Sequence, residues 1–289
     1  MIGFQLAIPI KFQLINKKVN SLLCTLLATD PNYRNQWIAY RVSIENKLRA
    51  LDSGIDILFN FQFKPAMNFY KSPRIGVMEY NKYIILRKIL DVQQRGLVKK
   101  PSFLIRTYLK YRSTISKFQI DKKFDLQYTI KRAGIHDLNK CYAFIKEINK
   151  SKRINRIWTK EELKYQLFHN FSSTYLLLNR NYEIVLILNF YVLNLLGYPN
   201  NKIAVIDLLE SRHPTNNILI TNFLLKIEQE LRKKEIFAIG LVPSLFEDVK
   251  PFLRAGFVYN PFDKVTLYYH KLNNNLSIND FEGLKINTR

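Results

Sequence analysis

Apolar runs with the period of a strand alternate with helix-spaced apolar positions along most of the chain, which predicts an α/β (α+β) fold. In residues 1–90 the predicted strands are "FQLAIPIKF", "NSLLCTLLAT", "IDILFNF" and "GVMEYNKYIILRKI". A helix follows Gln36 and is expected to end near Gly54, and a shorter helix is "PAMNFYK". The predicted order is β-β-α-β-α-β.

The pattern resumes in residues 124–273. A strand, "FDLQYTIKRA", precedes two predicted helices, and the second helix opens with Thr159 and Glu162 at capping-box spacing. A hairpin, the strand "KIAVIDLLES" and a helix over 216–234 come next. A buried strand, a helix that Pro251 is expected to bend or to delay in its start, and the strand "KVTLYYHKL" complete this part.

The two parts share an element order: the second part, from its third strand onward, has the same order of elements as the first part. We therefore expect two mixed sheets flanked by helices, in tandem. The first unit, 1–90, lacks its initial elements, so either another segment completes it or the start codon lies downstream of the full gene. The predicted boundaries add a basic connector over 91–123, a complete second unit over 124–273 and a C-terminal tail over 274–289.

Charge narrows the classes of partner. The chain has 289 residues, a formal net charge of +22 and 47% hydrophobic residues, so it can bury a core and is not of the disordered class. The positive charge favours an anionic partner, such as nucleic acid, a phosphate-rich ligand or a membrane surface. The alternative is a basic, solvated surface, and for the connector a solvated linker.

Other residue types indicate a cytoplasmic protein without a metal site. Two cysteines, Cys24 and Cys141, lie in apolar segments and are expected to be buried thiols in a reducing compartment. The four histidines have no ligand spacing, so no metal is predicted. The most apolar segment, 184–197, is shorter than the roughly 20 residues of a membrane-spanning helix.

A polar loop, "TDPNYRNQW", joins the second strand to the first long helix. The N–H groups at the start of a helix have no intrahelical partner and carry a partial positive charge, so they attract phosphate. Arg34 could add a charge-assisted contact to such a group. The alternative is a surface arginine on an ordinary strand-to-helix loop.

The element order, with "PNYRNQWIA" at this junction and "PAMNFYK" on the later helix, resembles the GNAT superfamily of acyl-CoA-dependent N-acyltransferases. Its signature is Q/R-x-x-G-x-G/A, usually after a proline and an aromatic residue. The chain keeps Arg34 and Ala39, whereas Trp37 departs from the signature in place of the central glycine. The corresponding stretch of the second unit, "ESRHPTNNIL", also lacks the glycines.

The resemblance implies acetyl-CoA or another acyl-CoA as co-substrate. The backbone of the second strand would polarise the thioester carbonyl, and the loop and first helical turn would receive the pyrophosphate. The implied cofactor-binding residues are Leu26, Leu27, Ala28, Thr29, Arg34, Asn35, Gln36, Trp37, Ile38 and Ala39.

Two further residues carry the implied chemistry. Tyr70, four positions after Ala66 as in family members, would protonate the departing thiolate. Glu79 on the next strand would deprotonate the attacking amine, directly or through water. A core tyrosine and a strand-surface glutamate are the alternatives.

Three functions follow as hypotheses. The first is a GNAT-type acyltransferase that acts on an amine of a small molecule or peptide. The second is a Fem-like transferase that uses aminoacyl-tRNA, for which the basic connector would contact tRNA. The third is a non-catalytic scaffold or binding protein that has lost the ancestral chemistry, and Trp37, the absent glycines and the missing first elements favour it.

Overall fold

The computed structural model describes residues 3–14, 17–33, 36–63, 78–90, 121–152, 154–194, 202–241 and 248–276. Several predicted features lie outside the described residues. They are Arg34, Asn35, Tyr70, the helix "PAMNFYK" and nearly all of the basic connector.

The described elements alternate between strands and helices as the sequence pattern predicts. The strands are β1 (Gly3–Leu14), β2 (Lys17–Thr29), β3 (Ile57–Phe63), β4 (Met78–Ile89), β5 (Thr129–Arg132), β6 (Ile154–Ile157), β7 (Ser172–Leu178), β8 (Ile184–Asn194), β9 (Lys202–Ser211), β10 (Ile236–Leu241) and β11 (Val258–Lys271). The helices are α1 (Ile38–Asp52), α2 (Lys122–Gln127), α3 (Leu138–Asn149), α4 (Lys160–Phe168), α5 (Asn217–Lys233) and α6 (Lys250–Arg254). None of the described helices is long and apolar enough to cross a membrane.

The chain divides into two units, the first of which is assembled from three segments: Met1–Ile84, Lys152–Trp158 and Pro261–Thr288. Its strands are ordered β11-β3-β2-β1-β6, and β2 and β3 are its parallel pair. Phe12, Leu23 and Phe59 are fully buried in its main core. Strands from the later part of the chain, β6 and the end of β11, therefore belong to this unit.

The second unit comprises Ile85–Ser151 and Thr159–Asn260. Its strands are ordered β5-β7-β8-β9-β10, followed by the end of β4, with β9 and β10 as the parallel pair. Helix α5 packs against this sheet through Ile220, Phe223 and Ile227, which lie at helical spacing and are buried in a large core. Each unit is thus a mixed sheet with helices, as the sequence predicts.

Three local predictions are confirmed in detail. Thr159 and Glu162 form the predicted capping box, with the Glu162 amide donating to Thr159 Oγ1 at 3.1 Å. Pro251 lies in the first turn of α6, so it delays the start of that helix. Cys24 and Cys141 are both buried.

Two local predictions are wrong. The sequence predicts a strand over residues 124–127, yet these residues belong to α2. The helix forms because the Asp121 carboxylate accepts from the Lys123 amide at 2.9 Å and caps its start, and because the helical conformation places Phe124 in the core. The strand β6 was not predicted. Its four residues, "INRI", carry no alternation of their own, and its pairing with β1 is what makes it a strand.

The unit divisions also differ from the sequence-based boundaries. A division at residues 90 and 123 assumes that each unit is one continuous segment. The observed units instead share β4 and β11, each of which has residues in both. Pairing between strands distant in sequence produces this exchange, and hydrophobic periodicity carries no information about it.

A buried charge cluster secures the end of β4 within the second unit. Lys88 and Glu228 form an ion pair, and their side chains are only 2% and 6% exposed. Lys88 also donates to the carbonyl of Ala255, while Arg232 donates to Glu228 at 2.6 Å and to the carbonyl of Leu90. Burial lowers the pKa of the Lys88 ammonium, and the Glu228 carboxylate opposes that shift.

Removing one member of this cluster should cost much more than removing the pair. Glu228→Leu leaves two cations together without their carboxylate, so we expect it to lower the free energy of unfolding by about 3–5 kcal/mol. The double variant Lys88→Met/Glu228→Leu should recover at least half of that loss. Urea denaturation measures both, with Glu230→Leu, which breaks an exposed pair on the same helix, as the near-neutral control. A double variant no more stable than Glu228→Leu would contradict this account.

Candidate acyl-CoA site

Each unit contains the same local arrangement: an antiparallel strand, a bulged strand, a helix and a strand parallel to the bulged one. In the first unit these elements are β1, β2, α1 and β3. In the second unit they are β8, β9, α5 and β10. The two copies differ at the bulge and at the helix start, and these differences locate the candidate site.

The bulge of the first unit lies on β2. Phe4 pairs with Ala28 and Leu6 with Thr25, so β2 has one residue more than β1 between these pairs. The extra residue falls at Leu26–Leu27. A bulge leaves an unpaired residue and turns local backbone groups out of the ladder, so amide groups become available to a ligand.

Next to the bulge, β2 and β3 stop pairing. Their parallel pairing runs from Ser21 with Ile57 to Cys24 with Asn60, although both strands continue in the described part of the chain. Beyond that point β2 stays paired with β1, and β3 with β11. Over the last residues of both strands, the backbone groups on the facing edges of β2 and β3 therefore do not hydrogen-bond to each other.

A chain of three amide side chains lies at the point where this pairing ends. Asn60 is 5% exposed, and its Oδ1 accepts from Gln5 Nε2 at 3.4 Å. Gln5 Oε1 in turn accepts from Asn46 Nδ2 of α1 at 2.9 Å. Sequence reasoning missed these residues, because single Asn and Gln side chains on different elements have no recognisable spacing. Buried amides of this kind can exchange hydrogen bonds with the amide groups of an extended ligand.

Helix α1 begins without a side-chain cap among the residues described around its start. Trp37 occupies the N-cap position with φ 61° and ψ 16°, which is the left-handed conformation. The first turn carries no acidic residue. Amide groups at a helix start attract an anion, and in this turn no described side chain caps them and no carboxylate would oppose the anion.

The corresponding positions of the second unit are filled. Asp207 is the extra residue of the β9 bulge and is fully buried. Gln166 Nε2 donates to Asp207 Oδ2 at 2.5 Å and to Asn189 Oδ1 at 3.1 Å. At the start of α5, the Asn216 side chain accepts from the Leu219 amide at 3.0 Å. In the second unit, side chains of the protein thus fill the bulge and cap the helix start, the two places that form the candidate site in the first unit.

Apolar side chains flank the bulge of the first unit. Phe4 and Leu6 lie on the same face of β1 as the buried Ile10 and Phe12, but they are 47% and 44% exposed. The apolar face of β1 therefore continues from the core to a surface directly opposite the bulge. A ligand group in contact with this surface would be apolar.

Cys24 precedes the bulge and is buried. Burial raises the pKa of its thiol to about 12, so the thiolate is scarcely populated at neutral pH. The Cys24 thiol is therefore poorly suited to carry the acyl group covalently. Among the described residues, no group of three or more potential ligands could hold a metal ion.

Sequence-predicted site residues fall into three groups. Leu26, Leu27, Ala28 and Thr29 lie at the bulge and the end of β2, and Gln36, Trp37, Ile38 and Ala39 lie at the start of α1. Glu79 is the second residue of β4. Arg34, Asn35 and Tyr70 lie outside the described residues, so their predicted roles stay predictions, as does the role of Glu79.

No family model matches the sequence, and no curated protein is detectably similar to it. Solved structures do match. An N-myristoyltransferase from Saccharomyces cerevisiae with bound myristoyl-CoA has a TM-score of 0.69 and 11% identity, over 93% of this chain and 66% of the other. A second structure of that enzyme with myristoyl-CoA has a TM-score of 0.67 and 12% identity, over 93% of this chain and 63% of the other.

A GCN5-related N-acetyltransferase from Kribbella flavida also matches, with a TM-score of 0.54 and 9% identity, over 94% of this chain and 57% of the other. The protein has a GNAT-like fold. These identities are low, so the likeness is one of fold, and the GNAT-like chain spans about two thirds of the length of the N-myristoyltransferases. The ligand bound in those two structures is an acyl-CoA thioester, which gives no support to a tRNA-dependent alternative.

The left-handed backbone at Trp37 should be measurable as strain. A side chain in this conformation costs about 1 kcal/mol that glycine avoids. We therefore expect Trp37→Gly to be more stable than Trp37→Ala by about 1 kcal/mol in urea denaturation, since both variants remove the indole.

The matched control is Tyr40, three residues later within α1. There the helical conformation disfavours glycine, so Tyr40→Gly should be less stable than Tyr40→Ala by about 1 kcal/mol. A glycine–alanine difference of the same sign at both positions would show that the conformation of Trp37 is not as described.

Proposed function

We propose that the protein is an acyl-CoA-dependent N-acyltransferase whose thioester site lies in the first unit. The observation that carries this proposal is the conjunction of three features: a bulge at Leu26–Leu27, the end of pairing with β3 at Cys24 and Asn60, and a start of α1 that no described side chain caps. The GNAT-like fold, shared with enzymes solved with an acyl-CoA, supports it.

The proposed binding mode follows from the chemistry of the ligand. The pyrophosphate of CoA is dianionic and suits the first-turn amides of α1, from Ile38 and Ala39 onward. The pantetheine arm is an extended chain with two amides, and it suits the free edge of β2 beside the Asn60 amide. Backbone N–H groups over 26–29 would donate hydrogen bonds to the thioester carbonyl oxygen and stabilise the oxyanion that forms on it.

The reaction is a direct transfer. The amine nitrogen attacks the thioester carbonyl carbon, the carbon–sulfur bond breaks, and an amide and free CoA result. We assign Tyr70 as the acid that protonates the departing thiolate and Glu79 as the base that takes the proton from the amine. The high pKa of Cys24 favours this route over a covalent intermediate on that thiol.

The acyl chain is proposed to be longer than acetyl. Phe4 and Leu6 pair with the residues on either side of the bulge and expose an apolar surface there. A chain of eight or more carbons attached to a carbonyl at the bulge would bury this surface, whereas an acetyl group would not reach across it. The acceptor is an amine of a peptide or a small molecule.

Binding should stabilise the protein and depend on chain length. At an acyl-CoA concentration one hundred times its Kd, we expect about 2.7 kcal/mol of added stability, visible as a rise in Tm. Myristoyl-CoA and octanoyl-CoA should give that rise at lower concentration than acetyl-CoA. Phe4→Asp should weaken binding of the long-chain thioesters about tenfold and leave acetyl-CoA unchanged, because it places a charge on the apolar surface.

Leu48→Asp is the matched control, since Leu48 is 50% exposed on α1 away from the bulge. It should leave binding of every thioester unchanged. Incubation with myristoyl-CoA and short peptides that have free N-terminal amines should yield N-acylated peptide by mass spectrometry. No rise in Tm with any thioester at millimolar concentration would reject the function.

A further inference from the structure

Aromatic side chains surround the start of α1. Tyr33 is 41% exposed and Trp37 is 58% exposed. The Trp37 and Tyr40 rings meet edge to face, with centroids 6.0 Å apart and planes at 82°. In such a pair, one ring directs its edge at the other, so at least one face of the indole is not covered by Tyr40.

The second tryptophan of the chain is in a different environment. Trp158 is 8% exposed, and the Arg156 guanidinium lies over its ring at 3.6 Å from the centroid. Trp37 is therefore the more exposed of the two tryptophans. Its left-handed backbone holds the ring at the helix start, although glycine would occupy that position without strain.

The covalent order of CoA places its base near Trp37. The pantetheine arm and the adenosine extend from opposite ends of the pyrophosphate. If the pyrophosphate binds the first-turn amides of α1 and the arm enters beside β2, the adenosine must lie on the outer side of the helix start. Trp37 and Arg41 are exposed at that position, and the first turn has no acidic residue to repel the ribose phosphate.

We propose that Trp37 is a stacking platform for the adenine base of CoA. This inference rests on the proposed function. The indole supplies a large π surface, and stacking on it replaces the close backbone approach that a glycine would allow. The departure from the GNAT signature at this position is then a change in how the nucleotide is held.

Tryptophan fluorescence tests the proposal in the full chain. In Trp158→Phe, Trp37 is the sole tryptophan, and CoA should quench its emission because the base stacks on the indole. Phosphopantetheine, which lacks adenosine, should bind without quenching. Trp37→Ala should weaken CoA binding about tenfold and leave phosphopantetheine binding unchanged, whereas Trp37→Phe should retain most of the CoA affinity.

The outcomes separate this inference from the function on which it rests. If CoA binds Trp37→Ala as tightly as the unaltered protein and quenches nothing, the stacking role is wrong and the acyltransferase function stands. If neither CoA nor myristoyl-CoA binds, the function itself is wrong. If short single-stranded RNA quenches Trp37 and CoA does not, the platform serves nucleic acid and the proposal is overturned. Leu48→Ala, an exposed site on the same helix, should change none of these results.

Discussion

The candidate site depends on the point at which β2 loses one of its two hydrogen-bonded neighbours. Up to Cys24 the strand is paired on both sides, with β1 and with β3. After Cys24 it keeps β1 alone, and the bulge turns part of its backbone away from that ladder. Unpaired backbone groups in a folded protein must find water, a side chain or a ligand. The bulge and the end of pairing thus create a set of directed donors and acceptors, and the start of α1 adds further N–H groups.

The second unit indicates what the same arrangement becomes when the protein itself satisfies those groups. Asp207 fills the bulge with a buried carboxylate that Gln166 holds, and Asn216 caps the helix that follows. A thioester there would have to displace hydrogen bonds that are already made in a buried environment. Each buried group left unsatisfied would cost about 1–3 kcal/mol. In the first unit, no described side chain takes the place of Asp207 at the bulge or of Asn216 at the helix start. The difference between the units therefore concerns a few side chains placed on a similar backbone.

Much of the fold could be predicted from the sequence because its elements are locally encoded. The helix α5 has an apolar face at clean helical spacing, and the capping box of α4 is visible in Thr159 and Glu162. The strand β6 and the exchange of β4 and β11 could not be predicted, since they depend on pairing between distant segments. The strand expected at Phe124 is helical because a single cap, Asp121, outweighs a short apolar run.

For the site, the resemblance of "PNYRNQWIA" to a known signature indicated the strand-to-helix junction at which the bulge of β2 and the start of α1 lie. It did not indicate Asn60, Gln5 and Asn46, which meet only in the folded unit. The conformation of Trp37 is likewise visible only in the folded chain: its indole is 58% exposed, and its backbone adopts the left-handed conformation that a glycine would adopt without strain.

Hydrogen–deuterium exchange with and without myristoyl-CoA tests whether the thioester occupies the edge of β2. The ligand should slow exchange in peptides that cover residues 25–29 and 36–41, and leave unchanged those that cover 206–211 and 216–220. Protection at the second set, or at neither set despite saturating ligand, would contradict the account.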